Sequence, residues 1–334
     1  MKLPDNWREL YFTLFPDVVL VKGERDAAAY DFNRAELVPI PPVLCDLVEE
    51  LEVHTCGELA GSLPPDQSPL VGKYLSYLLE KDFGTFREEI IAFKPLDRDW
   101  DQSNELLSAQ LELNASSDYN VAAVLDQITD LNCFQLELRL GEKWANPEAV
   151  EGLLELVRGS TLRAVDLYLT DGSAWTPERG DDLFARHPKL LHFMAYAAPT
   201  AYEKTFHPGT LKMVVHPLPK GEERRNHYKG RYIVNYQYFT EALRFNPLLN
   251  RRVSVSSFGY WKNDLMYEET FGHVTERKLT EVLASPEFTR LWKVNADRIV
   301  DLKDSARRYA VWPAEPLTAL QDGSGCYTFF TPSL

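Results

Sequence analysis

The chain has 334 residues, 45% of them hydrophobic and 12% aromatic, enough to bury a large core in two or three domains. A net charge of −14 and a pI near 5.0 argue against a surface that neutralises nucleic-acid phosphates, leaving room only for a local basic patch. No run approaches the roughly 18 apolar residues of a membrane span, and MKLPDNWREL lacks the basic start, apolar centre and small-residue cleavage site of a secretory signal, so the expected location is cytoplasmic.

In chain order, residues 11–32 give YFTLF, a Pro-Asp break, VVLVKG, a charged turn and AAAYDF, which predicts short strands joined by tight turns. From Pro41 the pattern becomes helical, with Val43, Leu44, Leu47, Val48 and Leu51 behind two prolines suited to a helix start. Thr55 followed by Glu58 is a capping-box pattern for a second short helix, ending before Pro64-Pro65. Residues 68–83 place Leu70, Val71, Tyr74, Leu75, Leu78 and Leu79 on one face of a third helix, with Gly84 beyond it. The polar run near 95–105 reads as the main domain junction.

The rhythm then alternates. ELLSAQLEL, CFQLELRLG, TLRAVDLYLT, LLHFMAYAAP and TLKMVVHPL predict strands, and NVAAVLDQITDL, PEAVEGLLELVRG and PERGDDLFARHP the helices between them. This order implies a parallel sheet, either a partial barrel or an open α/β sheet. Residues 219–250 read as loop-rich, RRVSVSSFGYWKN as a hairpin turning at Ser257-Phe258-Gly259, and TERKLTEVLASPEFTRLWKV as an amphipathic helix before an irregular tail.

The four cysteines, at 45, 56, 133 and 326, form no CxxC or CxxxC pair and read as core thiols. His187, His192, His207, His216 and His227 match no HExxH or HxH pattern, so no metal site is expected. The acidic pairs Asp181-Asp182, Glu222-Glu223 and Glu268-Glu269 read as solvated charge, and no catalytic residue is assigned. Arg224-Arg225 and Arg251-Arg252 are suited to gripping a carboxylate but read first as surface charge. The aromatic run from Tyr228 to Tyr267 serves equally as a docking face or as core filling.

Residues 11–51 and 55–83 together resemble the PqqD-like winged-helix modules that recognise leader peptides of ribosomally made, modified peptides. Nearly the whole chain is similar to the SPASM-domain peptide maturases found beside ATP-grasp ligases in grasp-with-spasm systems, and to pseudo-radical-SAM proteins. The segments that carry this are LFPDVVLVKGERDAAAYDFNRAELVPIPPVL, ITDLNCFQLELRL, and YFTEALRFNPLLNRRVSVSSFGYWKN with FGHVTERKLTEVLASPEFTRLW. The resemblance implies an α/β protein in three parts: a winged-helix-like α+β module over 1–95, a degenerate radical-SAM-like partial (β/α) barrel or open sheet over 105–218, and a degenerate SPASM-like region over 219–334.

The family's cluster-binding thiols are missing from their counterparts. Leu248, Asp264, Ser305, Val311 and Tyr228 stand where SPASM cysteines are expected, and LELNASSDYN offers Ser116 and Ser117 in place of CxxxCxxC. Thiolates bind soft iron, and Leu, Val and neutral Ser do not replace them. The expectation is therefore a cytoplasmic protein without cofactor or cluster and, on the first reading, not an enzyme. It would bind a precursor (leader) peptide and present it to a modifying enzyme such as an ATP-grasp ligase or a radical SAM maturase, with no nucleic-acid or membrane partner. The alternatives are a cluster-independent enzyme on the α/β scaffold or an obligate accessory subunit. The peptide would add a strand to the N-terminal sheet edge. The residues assigned to it by position are Ala28, Tyr30 and Phe32 on the third strand and Lys73, Tyr77 and Glu80 on the third helix.

Overall fold

The computed structural model describes residues 2–90, 93–219, 232–313 and 315–329. Four strands open the chain: β1 (Tyr11–Leu14), β2 (Val18–Lys22), β3 (Ala27–Asp31) and β4 (Glu36–Ile40). Three helices, α1 (Pro42–Leu51), α2 (Cys56–Ser62) and α3 (Ser68–Glu80), and strand β5 (Gly84–Arg87) complete the first unit. Pro42 starts α1 where a missing N–H costs nothing. The Thr55/Glu58 capping box forms as the sequence predicts: the Glu58 N–H donates to Thr55 Oγ1 at 3.2 Å and the Thr55 N–H to Glu58 Oε2 at 2.8 Å. Strands β1 and β5 pair antiparallel, and β2-β3-β4 form a separate antiparallel meander with β3 in the middle.

All five β3 residues are buried because both faces of the meander are covered. Ala27 and Ala29 pack with Leu44, Leu51, Leu75 and Leu78 of the helices. Ala28 and Tyr30, pointing the other way by strand alternation, pack with Phe239, Tyr309 and Ala310 from the second half of the chain.

The central sheet is built from β6 (Ser108–Leu113), α4 (Val121–Asp130), β7 (Gln135–Leu140), α5 (Pro147–Val157), β8 (Ala164–Leu169), α6 (Pro177–Arg186), β9 (Leu190–Ala195), β10 (Tyr202–Thr205) and β11 (Thr210–Met213). Helix α7 (Tyr236–Arg244) leads into β12 (Arg252–Val255) and β13 (Trp261–Lys262). The eight strands run in the order β10-β11-β9-β8-β7-β6-β12-β13, parallel from β11 to β12 and antiparallel at each end. The protein is thus α/β with one large, mostly parallel sheet. Asn120, Asn146 and Thr176 cap α4, α5 and α6, each accepting a backbone N–H three residues on.

Four features depart from the sequence expectations. The segment expected to be loop-rich contains α7, whose Asn235 cap accepts the Tyr238 N–H at 2.8 Å. The Ser257-Phe258-Gly259 hairpin forms, but β12 also pairs with β6, so the sheet crosses the boundary expected at 219. The single helix expected over 275–294 is two short ones, α8 (Leu279–Leu283) and α9 (Pro286–Thr289), because Pro286 cannot continue a helix and disfavours helical backbone at Ser285. Strands β4, β5 and β10 were not expected, nor was the hairpin that ends the C-terminal region. The C-terminal region ends in a hairpin of β14 (Leu317–Ala319) and β15 (Tyr327–Phe329).

The first unit docks on the C-terminal region through a polar seam. Tyr30 Oη donates to the Ala306 carbonyl at 2.9 Å, the Ala306 N–H to Asp26 Oδ1 at 2.8 Å, and the Glu24 N–H to the Asp304 carbonyl at 2.8 Å. Gly23 sits at the closest approach: a Cβ there would lie 2.6 Å from both the Ala306 nitrogen and the Asp304 oxygen.

Candidate functional site

The two faces of the central sheet differ in kind. One carries Ala109, Leu111, Leu113, Leu136, Leu138, Leu140, Val165, Leu167 and Leu169, all buried beneath α4, α5 and α6. On the other, the strand register aligns Ser254, Gln110, Glu137, Asp166, His192 and Thr210 in one row across six strands. Arg252, Ser108 and Gln135 lie one pleat before that row; Glu112, Arg139 and Tyr168 lie one pleat after it. A parallel strand covered on both faces by apolar layers reads as a continuous apolar run, so the alternation in β6, β7, β11 and β12 marks one face as lacking the apolar helix layer that covers the other.

Helix α7 and Trp312 stand over the β6–β7–β12 part of this polar face and enclose a hollow of about 300 Å³. Its polar lining comprises four glutamines (102, 110, 135 and 237), two serines (108 and 254) and Asn263, together with Glu137, Glu241, Asp264 and Arg252. Ser254 Oγ donates to Gln110 Oε1 at 2.7 Å. Asn263, 2% exposed, donates through Nδ2 to the Phe288 carbonyl at 2.9 Å, while its buried Oδ1 meets no donor among the described residues. Phe134, 47% exposed, forms part of the rim.

Two carboxylates at this face have arginine partners. Arg139 pairs with Glu137, and Arg252 lies 3.5 Å from Glu241, which also accepts from Asn250 Nδ2 at 3.0 Å. Burial pushes the Glu241 carboxyl up in pKa despite Arg252 and Asn250. Asp264, 4% exposed, is pushed up to about 6 by burial, against the Met266 N–H it accepts at 2.9 Å and the nearby Arg139. Further along the row, Asp166 is buried and accepts from Gln135 Nε2, and its Oδ1 lies 2.8 Å from His192 Nδ1.

The six residues assigned to peptide binding by position do not share one surface. Ala28 is 2% and Tyr30 0% exposed, and β3 is flanked on both sides, so neither their side chains nor an unpaired β3 edge is open to an added strand. That expectation is corrected for these two residues: the face taken as a peptide groove is the seam between the N-terminal unit and α7. Phe32 is half-buried against Tyr236 and Phe239 in the same seam. Lys73 and Glu80 are exposed on α3, and Tyr77 is half-buried against the N-terminal core. The edges of the meander are β2 and β4, and in β4 Pro39, opposite Ala28, has no N–H to offer a further strand.

The positions at which the resemblance expects cluster thiols have other partners. Ser117 Oγ donates to the Ser257 carbonyl at 2.8 Å and accepts the Asn114 N–H at 3.1 Å, tying the loop after β6 to the β12–β13 turn. Leu248 is core, Ser305 Oγ accepts the Arg307 N–H at 3.1 Å, and Val311 pairs with Tyr232 across an isolated bridge. Cys45, Cys56 and Cys133 are buried and lie in two separate cores; burial raises all three thiols, Cys56 and Cys133 to about 12. Tyr228, His227, Glu222-Glu223 and Arg224-Arg225 lie outside the described residues.

Of the arginine pair read as surface charge, Arg252 lines the hollow and Arg251 donates to the Gln102 and Asn104 carbonyls, both at 2.8 Å. His187 meets Glu151 and Glu155 within 4.8 Å, but Arg186 and Arg158 already pair with those carboxylates, so the group is a charge-balanced patch. Tyr238 and Phe239 fill the seam and Trp261 is fully buried, so much of the aromatic run is core.

No family model and no curated protein match this chain. Among solved structures, Streptococcus suis SuiB aligns over 83% of this chain and 89% of its own, with 9% identity and a TM-score of 0.29. SuiB bound to S-adenosylmethionine aligns over 82% and 88%, with 9% identity and a TM-score of 0.27. At those scores the likeness carries no argument about fold or function.

Proposed function

We propose that the chain is a non-catalytic recognition protein that binds a precursor peptide and presents it to a modifying enzyme, on a scaffold descended from SPASM-type maturases with a winged-helix-like N-terminal unit. The observation that carries this reading is the hollow over β6, β7 and β12. Carboxamide and hydroxyl groups line it, two of its carboxylates are paired with arginines, and an exposed aromatic ring forms its rim. Peptide groups present one donor and one acceptor each, and carboxamides answer both without a charged partner. A buried acceptor such as Asn263 Oδ1 gains a full hydrogen bond from a ligand N–H. The reading moves the peptide from the β3 edge to the polar face of the sheet.

The test is fluorescence anisotropy with a labelled precursor peptide encoded beside the gene, comparing full peptide, leader and core. Saturable binding is expected, weakened by Phe134→Ala and Gln237→Ala, both at exposed positions. No binding of any version, with or without the neighbouring modifying enzyme, refutes the proposal.

One observation favours an enzyme instead. A buried carboxylate that holds an imidazole through Nδ1, as Asp166 holds His192, is the arrangement that orients a general base. Mass spectrometry of the precursor after incubation with the protein alone decides between the two: a mass change lost in His192→Gln establishes catalysis, and an unchanged mass supports recognition.

A further inference from the structure

A second hollow opens beside the first, at the N-terminal ends of β7, β8 and β9. Phe134 belongs to the lining of both. Its other lining residues are Ser103, Asn104, Asn132, the segment 160–163 and Lys189, and it contains two cations and no carboxylate. In a chain of net charge −14, a hollow of this sign is against the trend.

The two cations differ in how they are held. Lys189 is half-buried, and its ammonium donates to the Ser160 carbonyl at 2.7 Å and the Val157 carbonyl at 3.2 Å. It thereby closes the C-terminal end of α5, a favourable place for a positive charge. Both of these bonds are to neutral carbonyls, so the charge itself is not neutralised. Arg163 is exposed, and its guanidinium meets no carboxylate among the described residues. Burial and the nearby Arg163 both lower the Lys189 pKa, as for two cations without a counter-charge. A guanidinium fork with adjacent hydroxyl and carboxamide groups is matched to a carboxylate, which accepts two parallel N–H bonds.

We infer that the hollow formed by Arg163, Lys189, Thr161 and Asn132 binds a carboxylate of the ligand whose neutral segment lies in the first hollow, the chain of that ligand passing over Phe134. The inference rests on the peptide-recognition reading and adds a required feature of the peptide: either an acidic side chain or the C-terminal carboxylate. Both sources present the same group, and the experiment separates them.

The probes are the precursor peptide, its C-terminal amide, and a version with Asp and Glu replaced by Asn and Gln. Each is titrated by anisotropy against wild type and Arg163→Glu, a change at an exposed position. Loss of one partly exposed charge-assisted contact is expected to weaken binding about five- to tenfold. That loss should appear for whichever neutralised peptide has given up the bound carboxylate, and Arg163→Glu should weaken that peptide no further.

Wild-type binding that is indifferent to Arg163→Glu and to both neutralised peptides overturns the inference while leaving peptide recognition intact; Lys189 is then a helix cap only. A further arm is independent of the natural peptide. Acetyl-triglycine and its amide are titrated while amide NMR shifts of residues 132–134 and 160–163 are followed. Saturable shifts with the acid alone, lost in Arg163→Glu, support the carboxylate site even if no precursor binds. Identical responses to acid and amide refute it.

Discussion

Asp264→Asn should stabilise the protein near neutral pH and do nothing in acid. In the folded chain the Asp264 carboxyl is raised from 3.8 to about 6, with burial as the dominant cause. Between those two values the folded state holds a proton that the unfolded state has released, so stability falls by about 1.4 kcal/mol per pH unit as pH rises. The contribution is fully present below about pH 4 and lost by about pH 6, a difference of about 3 kcal/mol for 3.8 against about 6. Asparagine keeps the Oδ1 acceptor for the Met266 N–H and resembles the protonated acid. The variant should therefore be more stable by about 3 kcal/mol at pH 7.5 and equal to wild type at pH 4, a shift of about 4 °C in midpoint for a chain of this length. Thermal scans by circular dichroism at both pH values measure it. A pH-independent difference, or an Asn variant less stable at pH 7.5, refutes the assignment of Asp264 as a desolvated carboxyl.

Four other outcomes follow from the same geometry. Breaking the Glu137–Arg139 pair by Glu137→Leu should cost about 3–5 kcal/mol by denaturant unfolding, whereas Glu137→Leu with Arg139→Met should recover most of that loss and still fail to bind peptide. Tyr30→Phe removes the bond to the Ala306 carbonyl and should cost about 1–3 kcal/mol, with faster cleavage between the N-terminal unit and the rest in limited proteolysis. Gly23→Ala, which places a carbon against two backbone atoms of 304–306, should loosen the same seam in the same assay while leaving the apolar face of the central sheet protected from hydrogen exchange. In thiol titration at pH 8 Cys326, the half-buried one, should react first, and Cys56 and Cys133 only after denaturation.

The order of elements was legible where one period dominates. Helices α1, α3, α4 and α5 announce themselves by apolar spacing and α2 by its Thr55/Glu58 cap, because these signals are local. Strand pairing is not local. Nothing in RRVSV says that it joins SAQLEL across the sheet, since register is set by which surfaces meet in the folded chain. The same limit explains Ala28 and Tyr30. Alternation correctly puts them on one face of a strand, but whether that face meets solvent, a peptide or helix α7 depends on residues about two hundred positions away. The polar hollow did leave a trace. SAQLEL, QLELRL and VDLYL each alternate polar with apolar residues, and in consecutive parallel strands that pattern marks a face without an apolar helix layer.

What that face is suited to follows from how its charges are arranged. An ion pair in a low-dielectric site contributes less stability than apolar side chains of the same volume, because removing the charges from water offsets their attraction. The row Gln110, Glu137, Asp166 and His192, with Arg139 and Arg252 beside it, is therefore an unfavourable way to complete a core and a favourable way to present fixed hydrogen-bond partners. Ser254 holds the Gln110 carboxamide and Asp166 that of Gln135. A ligand that enters must supply its own donors and acceptors in a complementary pattern and need not supply charge there. The cations Arg163 and Lys189 lie outside this row and beyond Phe134, so the proposed ligand would have its neutral and charged ends held in separate places.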